Sequence, residues 1–295
     1  MFSTQLFRLL QYVWRHPLNA GHRSAAIWRL VRWQIASRLM DGPIALQYVE
    51  DTFLFASRGM TGATGNWYCG LHEVSEMAFV LHLIRPGEHF ADVGANIGSY
   101  SILAAGGAQA RVSAFEPIPA TVVHLQRNVD LNGLNSKINV RQQGLSNRGG
   151  KIRFTQDLDT VNHVAAAGED CATIEVEVRT LDETFEGDAP ALLKIDVEGH
   201  ELAVLEGGSK TLSQADLLAV ILETNGSGGR YGVGDVELMR RMEAHGFSPF
   251  VYDPFSRRLL ESSGTELNTI FVKDRVEVER RTQGARRFRL LNGSI

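Results

Sequence analysis

The sequence predicts an α/β protein: a mostly parallel sheet with helices on both faces, preceded by a helical extension. Three observations carry this. From His89 onward, short apolar runs alternate with segments of helical periodicity, and crossover helices are what join parallel strands. The first run ends in a glycine-rich turn, Asp92-Val-Gly-Ala-Asn-Ile-Gly98, and the second in Phe115-Glu-Pro117, so polar residues collect at the carboxyl ends of strands. Residues 1–40 have a different character, with helical periodicity and an unbalanced charge.

The extension is read as residues 1–58. Its first 40 residues hold six arginines (Arg8, Arg15, Arg23, Arg29, Arg32, Arg38) and no acid. Phe2, Leu6, Leu9, Leu10 and Val13 fall on one helical face, and Ile27, Leu30, Val31, Ile35 and Leu39 on another, with Pro17 between the two helices. Such a pair either packs on the main domain with its arginines solvated, or docks on an anionic membrane or an acidic protein. Trp14, Trp28 and Trp33 suit both. Ile44–Tyr48 and Thr52–Ala56 read as short strands, and Gly59–Gly65 as a glycine-rich turn with no phosphate-binding lysine after it.

The main domain is read as residues 59–275. His72–Leu83 is a helix with Glu73 and Glu76 in its first turns, where the helix dipole favours acids. The expected strands are His89–Val93, Arg111–Phe115, Ile138–Gln142, Leu192–Ile195 and Leu217–Leu222. Between and after them come helices at Ser99–Ala105, Ala120–Asn132, from Gly199, and at Val236–His245. Lys151–Thr155 and Thr173–Val178 alternate as strands outside this pattern, and Pro249–Tyr252 with Thr269–Val272 forms a closing antiparallel hairpin. Residues 276–295 make a polar, arginine-rich tail, expected to be partly disordered.

Composition narrows the function. The chain of 295 residues is 44% hydrophobic and 22% charged, enough to bury a core. A net charge of −4 gives no pull toward nucleic acid. Two cysteines, Cys69 and Cys171, read as reduced thiols, and none of the nine histidines falls at zinc-ligand spacing. No apolar run reaches the ~18 residues of a membrane span, and the start lacks a signal-peptide pattern. The Asn225-Gly-Ser and Asn292-Gly-Ser tripeptides are then chance matches, and the expected location is cytoplasmic, peripheral to the inner membrane face if the extension docks.

The turn from Asp92 to Gly98 is the first candidate site. Its glycines allow a sharp turn and close approach of a ligand, and the amides at the helix start favour an anion. A dinucleotide fingerprint requires glycine where Asn96 stands, which argues against NAD or FAD. Asp92 suits an ammonium group or its bridging water. Glu116, 24 residues after Asp92, stands where an acid takes ribose hydroxyls. An ammonium, a nearby carboxylate and a ribose together describe S-adenosyl-L-methionine.

These residues resemble the FkbM family of methyltransferases. The resemblance rests on Phe90-Ala-Asp-Val-Gly-Ala-Asn-Ile-Gly-Ser-Tyr100, on Ala114-Phe-Glu-Pro117, and most specifically on Leu193-Lys-Ile-Asp-Val-Glu-Gly-His-Glu-Leu202. Gly70-Leu-His-Glu73 and Val220-Ile-Leu-Glu223 add to it, and it covers roughly residues 60–230. It implies the seven-stranded, Rossmann-like class I methyltransferase fold, with S-adenosyl-L-methionine as donor and hydroxyl groups of sugars or natural products as acceptors. Asp92, Gly94, Asn96, Gly98 and Glu116 are then expected to line the cofactor.

At the end of the fourth strand, Asp196, Glu198 and His200 are the catalytic candidates. His200 has the pKa range of a general base, and Asp196 orients it or takes the proton itself. The structural alternatives are that Glu198 caps the following helix or pairs with Lys194, and that His200 is inert on a surface turn. Glu223, ending the next strand, is a substrate-side candidate. These carboxylates could hold a hard cation, but no metal is expected. An amide or base methyltransferase often carries an Asn/Asp-Pro-Pro-aromatic turn where this chain has Asp196-Val-Glu-Gly, which favours oxygen. The alternatives are a non-catalytic binding module and a nicotinamide-dependent oxidoreductase. Acceptor specificity is expected in residues 60–75, 149–185 and 225–235.

Overall fold

The computed structural model describes residues 2–155, 162–165, 172–264 and 266–295, with side chains from residue 6 onward. Helices α1 (Phe2–Arg15) and α2 (Arg23–Leu39) lead into a hairpin of β1 (Ile44–Gln47) and β2 (Phe53–Ala56), then α3 (Thr61–Cys69) and α4 (Val74–Leu83). The alternating part follows: β3 (His89–Val93), α5 (Ser99–Ile102), β4 (Arg111–Phe115), α6 (Pro119–Leu131) and β5 (Ile138–Arg141). Strands β6 (Gly144–Leu145), β7 (Gly150–Thr155) and β8 (Thr173–Arg179) make a separate small sheet. The chain returns through α7 (Leu181–Thr184), β9 (Leu192–Ile195), α8 (Glu201–Glu206), α9 (Ser209–Ser213), β10 (Ala219–Glu223) and α10 (Asp235–Ala244). It ends with β11 (Ser248–Asp253), β12 (Arg258–Glu261), β13 (Asn268–Val272), α11 (Arg275–Gln283) and the pair β14 (Arg289–Leu290) and β15 (Gly293–Ser294).

The central sheet has eight strands in the order β12-β11-β13-β10-β9-β3-β4-β5. Strands β10, β9, β3, β4 and β5 are parallel, and β13 runs antiparallel between β10 and β11. The seven strands of the expected pattern are thus joined by β12 at the edge. Strands β11 and β13 pair antiparallel as expected, but they are not a simple hairpin, because β12 lies between them in sequence.

Alternation along the buried strands divides the core. Phe90, Val112, Ala114, Leu192 and Ile221 face α4 and α5, whereas Ala91, Val93, Leu193, Ile195 and Val220 face the layer of α8 and α10. The same alternation puts Asp92 on the α4–α5 side. Lys194 is its register partner on β9.

Three expectations are corrected. The glycine-rich stretch Gly59–Gly65 is mostly helix α3, and Gly65 is there for space: a Cβ on it would lie 2.5 Å from His72 Nδ1. The tail is folded: α11 is capped by Asp274, and Phe288, Leu290 and Ile295 are buried. The extension buries Val13, Ala26, Leu30 and Trp33 in the main core, but Leu6, Ile35 and Leu39 face outward. Their helical spacing to the buried positions is right, but the inward stripe is narrower than the apolar periodicity. No helix among the described residues is long and apolar enough to cross a membrane.

Candidate active site

Asp92, one residue before the end of β3, is 1% exposed. Ser101 Oγ donates to its Oδ2 at 2.6 Å, and its Oδ1 is buried with no partner among the described residues. Burial pushes this carboxyl up, opposed by the Lys194 ammonium and by Ser101. After it the chain turns in left-handed conformations at Gly94 (φ +81°), Asn96 (φ +51°) and Gly98 (φ +89°). Gly94 is demanded by a close crossing: a Cβ there would sit 1.8 Å from the backbone oxygen of Asp196. Asn96 tolerates its conformation because its Oδ1 accepts the Ile97 amide at 2.7 Å.

Glu116, just past β4, is 6% exposed and locks the turn. Its carboxylate accepts the amides of Asn96 (2.9 Å) and Ile118 (3.0 Å). Burial pushes its pKa up to about 7 against those donors. The two acids that the sequence singled out are therefore held at one turn.

The other wall comes from β9 and β10. Lys194 is buried, donates to Asp196 Oδ2 at 2.7 Å and lies over the Tyr100 ring. Burial acts to lower the lysine's pKa, but Asp196, Asp92 and Glu73 outweigh it, so the ammonium stays charged. Lys194 thus pairs with Asp196 and not with Glu198. The Asp196–Glu198 turn is held by a residue the sequence reading missed: Glu201, 1% exposed, whose Oε1 accepts the amides of Val197 and Gly199 at 3.0 Å each. That role was legible only as an acid in the first turn of α8, where the helix dipole favours one.

Glu198 takes a left-handed conformation (φ +54°), and Arg230 donates to its carbonyl at 2.9 Å. Burial and then Asp196 push its carboxyl up. Glu223 receives a bond from Asn225 Nδ2 at 2.7 Å, while its Oε2 is buried and unpartnered. Burial, then Asp196, Glu198 and Glu201, push it up to about 9. One oxygen each of Asp196, Glu198 and Glu223 lies within 4.8 Å of the others. With Glu223 protonated at neutral pH, the group shares its proton load like other close carboxylates.

Two adjoining cavities tie these residues together. The first, about 260 Å³, is lined by Glu116, Pro117, Phe154, Asn162, Glu198 and Glu223 among others. The second, about 130 Å³, is lined by Asp92, Ser99, Tyr100 and Lys194 among others. Gly62, His72, Glu73, Gly94, Asn96 and Asp196 line both. Thus Asp92, Gly94, Asn96, Glu116, Asp196, Glu198 and Glu223 converge, and Gly98 caps α5 behind the turn. His200 lines neither of these two cavities. Its Nε2 lies 3.0 Å from Ser146 Oγ, and its ring meets Tyr231 edge-on. His72 and Glu73 end the Gly70–Glu73 motif, whose pattern alone assigns them no role. Of the expected specificity regions, 60–75 reaches the cavities through Thr61, Gly62, His72 and Glu73, and 149–185 through Phe154 and Asn162. None of 225–235 does so among the described residues. Cys69 is buried, and Cys171 lies outside the described residues.

The family model of the methyltransferase FkbM domain matches residues 92–249, more than half the chain. The chain belongs to the FkbM methyltransferase family. S-adenosyl-L-methionine is accordingly its cofactor, as the turn after β3 indicated. Among curated relatives, the chain is 35% identical over 131 residues to the hexuronic acid methyltransferase AglP of Haloferax volcanii, covering 44% of this chain and 53% of that one. It is 29% identical over 149 residues to Methyltransferase 1 of Beauveria bassiana, covering 41% of this chain and 59% of that one. It is 29% identical over 202 residues to the methyltransferase sdnD of Sordaria araneosa, covering 63% and 75%. The chain thus spans little more than half the length of the first two. Among solved structures, it aligns with a precorrin-6y C5,15-methyltransferase of Geobacter metallireducens at 13% identity and TM-score 0.39, covering 68% and 87%. A putative tRNA (m1A22) methyltransferase of Streptococcus pneumoniae in complex with S-adenosyl-L-methionine aligns at 19% identity and TM-score 0.39, covering 67% and 70%.

Proposed function

We propose that this protein methylates a hydroxyl oxygen of a sugar, a glycolipid headgroup or a related natural product. The observation that carries the reading is the wall the two cavities share: Gly94 and Asn96 of the turn after β3, and Asp196 of the acid cluster, line both.

The residues fit the cofactor. Asp92 keeps a buried, unpartnered carboxylate oxygen for an ammonium, and Gly94 leaves no room for a side chain. Asp92, Gly94, Asn96, Gly98 and Glu116 would hold it. When bound, it supplies an electrophilic methyl group on a sulfonium. The protein must then place an acceptor oxygen and receive its proton.

The acceptor side suits a neutral polyol. Asp196, Glu198 and Glu223 accept hydrogen bonds from hydroxyls, and protonated Glu223 also donates one. The same carboxylates repel an acceptor that is itself a carboxylate. The hexuronic acid named for the Haloferax relative supports a sugar as the acceptor's class, and within such a glycan the acid-lined cavity favours the neutral hydroxyls over a carboxylate.

The test incubates the protein with methyl-labelled S-adenosyl-L-methionine and hexuronate-containing glycans, then treats the product with mild alkali. A label that survives is an ether and supports the reading. Label released as methanol identifies a methyl ester and overturns it.

A further inference from the structure

His72 stands where the two cavities meet, and its ring is held by a residue sixty positions earlier. Tyr12 Oη of α1 lies 2.7 Å from His72 Nδ1 and 2.9 Å from the His72 carbonyl oxygen. A phenol has one proton and a carbonyl only accepts, so the Tyr12 proton goes to the carbonyl. Nδ1 must then carry a hydrogen and donate it to the phenol oxygen. That fixes the neutral tautomer and leaves the lone pair on Nε2. The histidine backbone is pinned as well, its amide donating to Asn66 Oδ1 at 2.8 Å, and Gly65 supplies the space that the ring occupies.

We propose that His72 Nε2 is the base that receives the acceptor's proton, with Tyr12 as its positioning residue. This rests on the methyl-transfer reading above. With the donor bound, the O–H bond would break and its proton move to Nε2, the oxygen would use the freed electron pair to bond the methyl group, and the methyl–sulfur bond would break with its electron pair left on sulfur. The positive charge that leaves the donor's sulfur ends on the imidazole. The other candidates are less apt. Asp196 is neutralised by Lys194, Glu223 already carries a proton at neutral pH, and His200 is outside both cavities. Burial lowers the His72 pKa, opposed by Glu73, so the ring is neutral and ready to accept. The groups around it are Tyr12 and His16 from the extension, Cys69 from α3, Glu73 beside it, and Asp196, Glu198 and Glu223 among the cavity-lining residues.

The first test needs no acceptor. Long-range proton–nitrogen NMR on the full chain with labelled histidine should show His72 as the Nδ1–H tautomer, and Tyr12→Phe should shift it toward Nε2–H. An Nε2–H tautomer in the wild type overturns the proposal. In the glycan assay, His72→Ala should lose at least ~100-fold in kcat, with donor affinity by calorimetry unchanged and partial rescue by added imidazole. Wild-type kcat should fall on the acid side below the ordinary imidazole range. Full turnover in His72→Ala overturns the base. Absence of any product from the wild type removes hexuronate-containing glycans as the acceptor, and the tautomer measurement then decides the proposal.

A separate observation concerns the outer face of the extension. Of the fourteen exposed large hydrophobics among the described residues, seven lie in the first 40 positions: Leu6, Phe7, Trp14, Trp28, Ile35, Leu39 and Met40. Arg8, Arg15, Arg23, Arg32 and Arg38 are exposed among them, no acid occurs there, and Arg23 lies 5.3 Å over the Trp14 ring. Arg29 is different, because it donates to the carbonyls of Trp67 and Tyr68 and fixes α2 to α3. We infer that α1 and α2 dock on an anionic lipid surface, with the aromatic and aliphatic side chains entering the headgroup layer and the five arginines meeting phosphates. Mixed apolar and cationic exposure of this kind matches lipid better than an acidic protein. The full chain should sediment with phosphatidylcholine–phosphatidylglycerol vesicles and at least ~10-fold less with phosphatidylcholine alone. Trp14→Ser with Trp28→Ser, and separately Arg8→Gln with Arg15→Gln and Arg32→Gln, should each weaken it similarly. No sedimentation with the anionic vesicles overturns the docking, and so does equal sedimentation of the variants. Capture by an acidic protein without vesicle binding would move the surface to that partner class.

Discussion

The cofactor side and the acceptor side of the site are built in opposite ways. The cofactor side is one turn after one strand. Asp92, Gly94 and Asn96 lie within five residues, Glu116 ends the neighbouring strand, and backbone amides satisfy it. The acid-lined cavity is assembled from α3 and the turn after it, β7, the turn after β9, and β10, which are distant in sequence. Its acids crowd until Glu223 takes a proton. A rigid backbone turn recognises one unchanging ligand. A wall of side chains from several elements can vary with the acceptor while the turn stays fixed.

Substitutions should separate the two sides. The largest effect is expected from Gly94→Ala, whose Cβ would meet the Asp196 carbonyl at 1.8 Å in a left-handed conformation. It should destabilise the fold by about 3 kcal/mol or more and abolish donor binding, as read by thermal unfolding and calorimetry. A mild effect there would show that the two strand ends are not locked together. Lys194→Met should come next. It leaves Asp196 and Asp92 without their cation, so Tm should fall and donor affinity drop by roughly 10-fold. An unchanged Tm would detach Lys194 from both walls.

Glu223→Gln should act through pH. Burial and the neighbouring acids raise the folded pKa to about 9, far above the ordinary carboxyl range, so the glutamic acid's stabilising contribution is present at low pH and is lost as pH rises through that window. The glutamine variant should therefore melt higher than the wild type at pH 8, with the gap closing toward pH 5. A lower Tm at pH 8 would mean that the carboxylate is ionised in the fold. The smallest effect is expected for His200→Ala, which should cost turnover less than ~10-fold, against the much larger loss at His72. A loss as large as at His72 would move the base to the end of β9.

Much of this contrast was legible in the sequence, and for physical reasons. A buried parallel strand must be apolar, so β3, β4 and β9 stand out, and their ends show the acids of the cofactor turn. Helix α3 was hidden because a run of glycines reads as a turn, whereas Gly65 serves close packing against His72. The tail was hidden because α11 buries only Val278 and Thr282, and polar composition alone looks like disorder. His200 was favoured by its place in the most specific motif. The turn geometry, with Glu201 drawing back two amides, instead points its ring toward Ser146. The pairing of Tyr12 with His72 joins α1 to the bend between α3 and α4, which no local pattern connects.

The central claim is that the turn from Asp92 to Gly98 holds S-adenosyl-L-methionine through Asp92. Calorimetric titration of the wild type and Asp92→Ala tests it most directly. The account predicts binding to the wild type, a loss of at least ~100-fold in the variant, and no response to NAD in either. Equal affinity for S-adenosyl-L-methionine in the two proteins would contradict it.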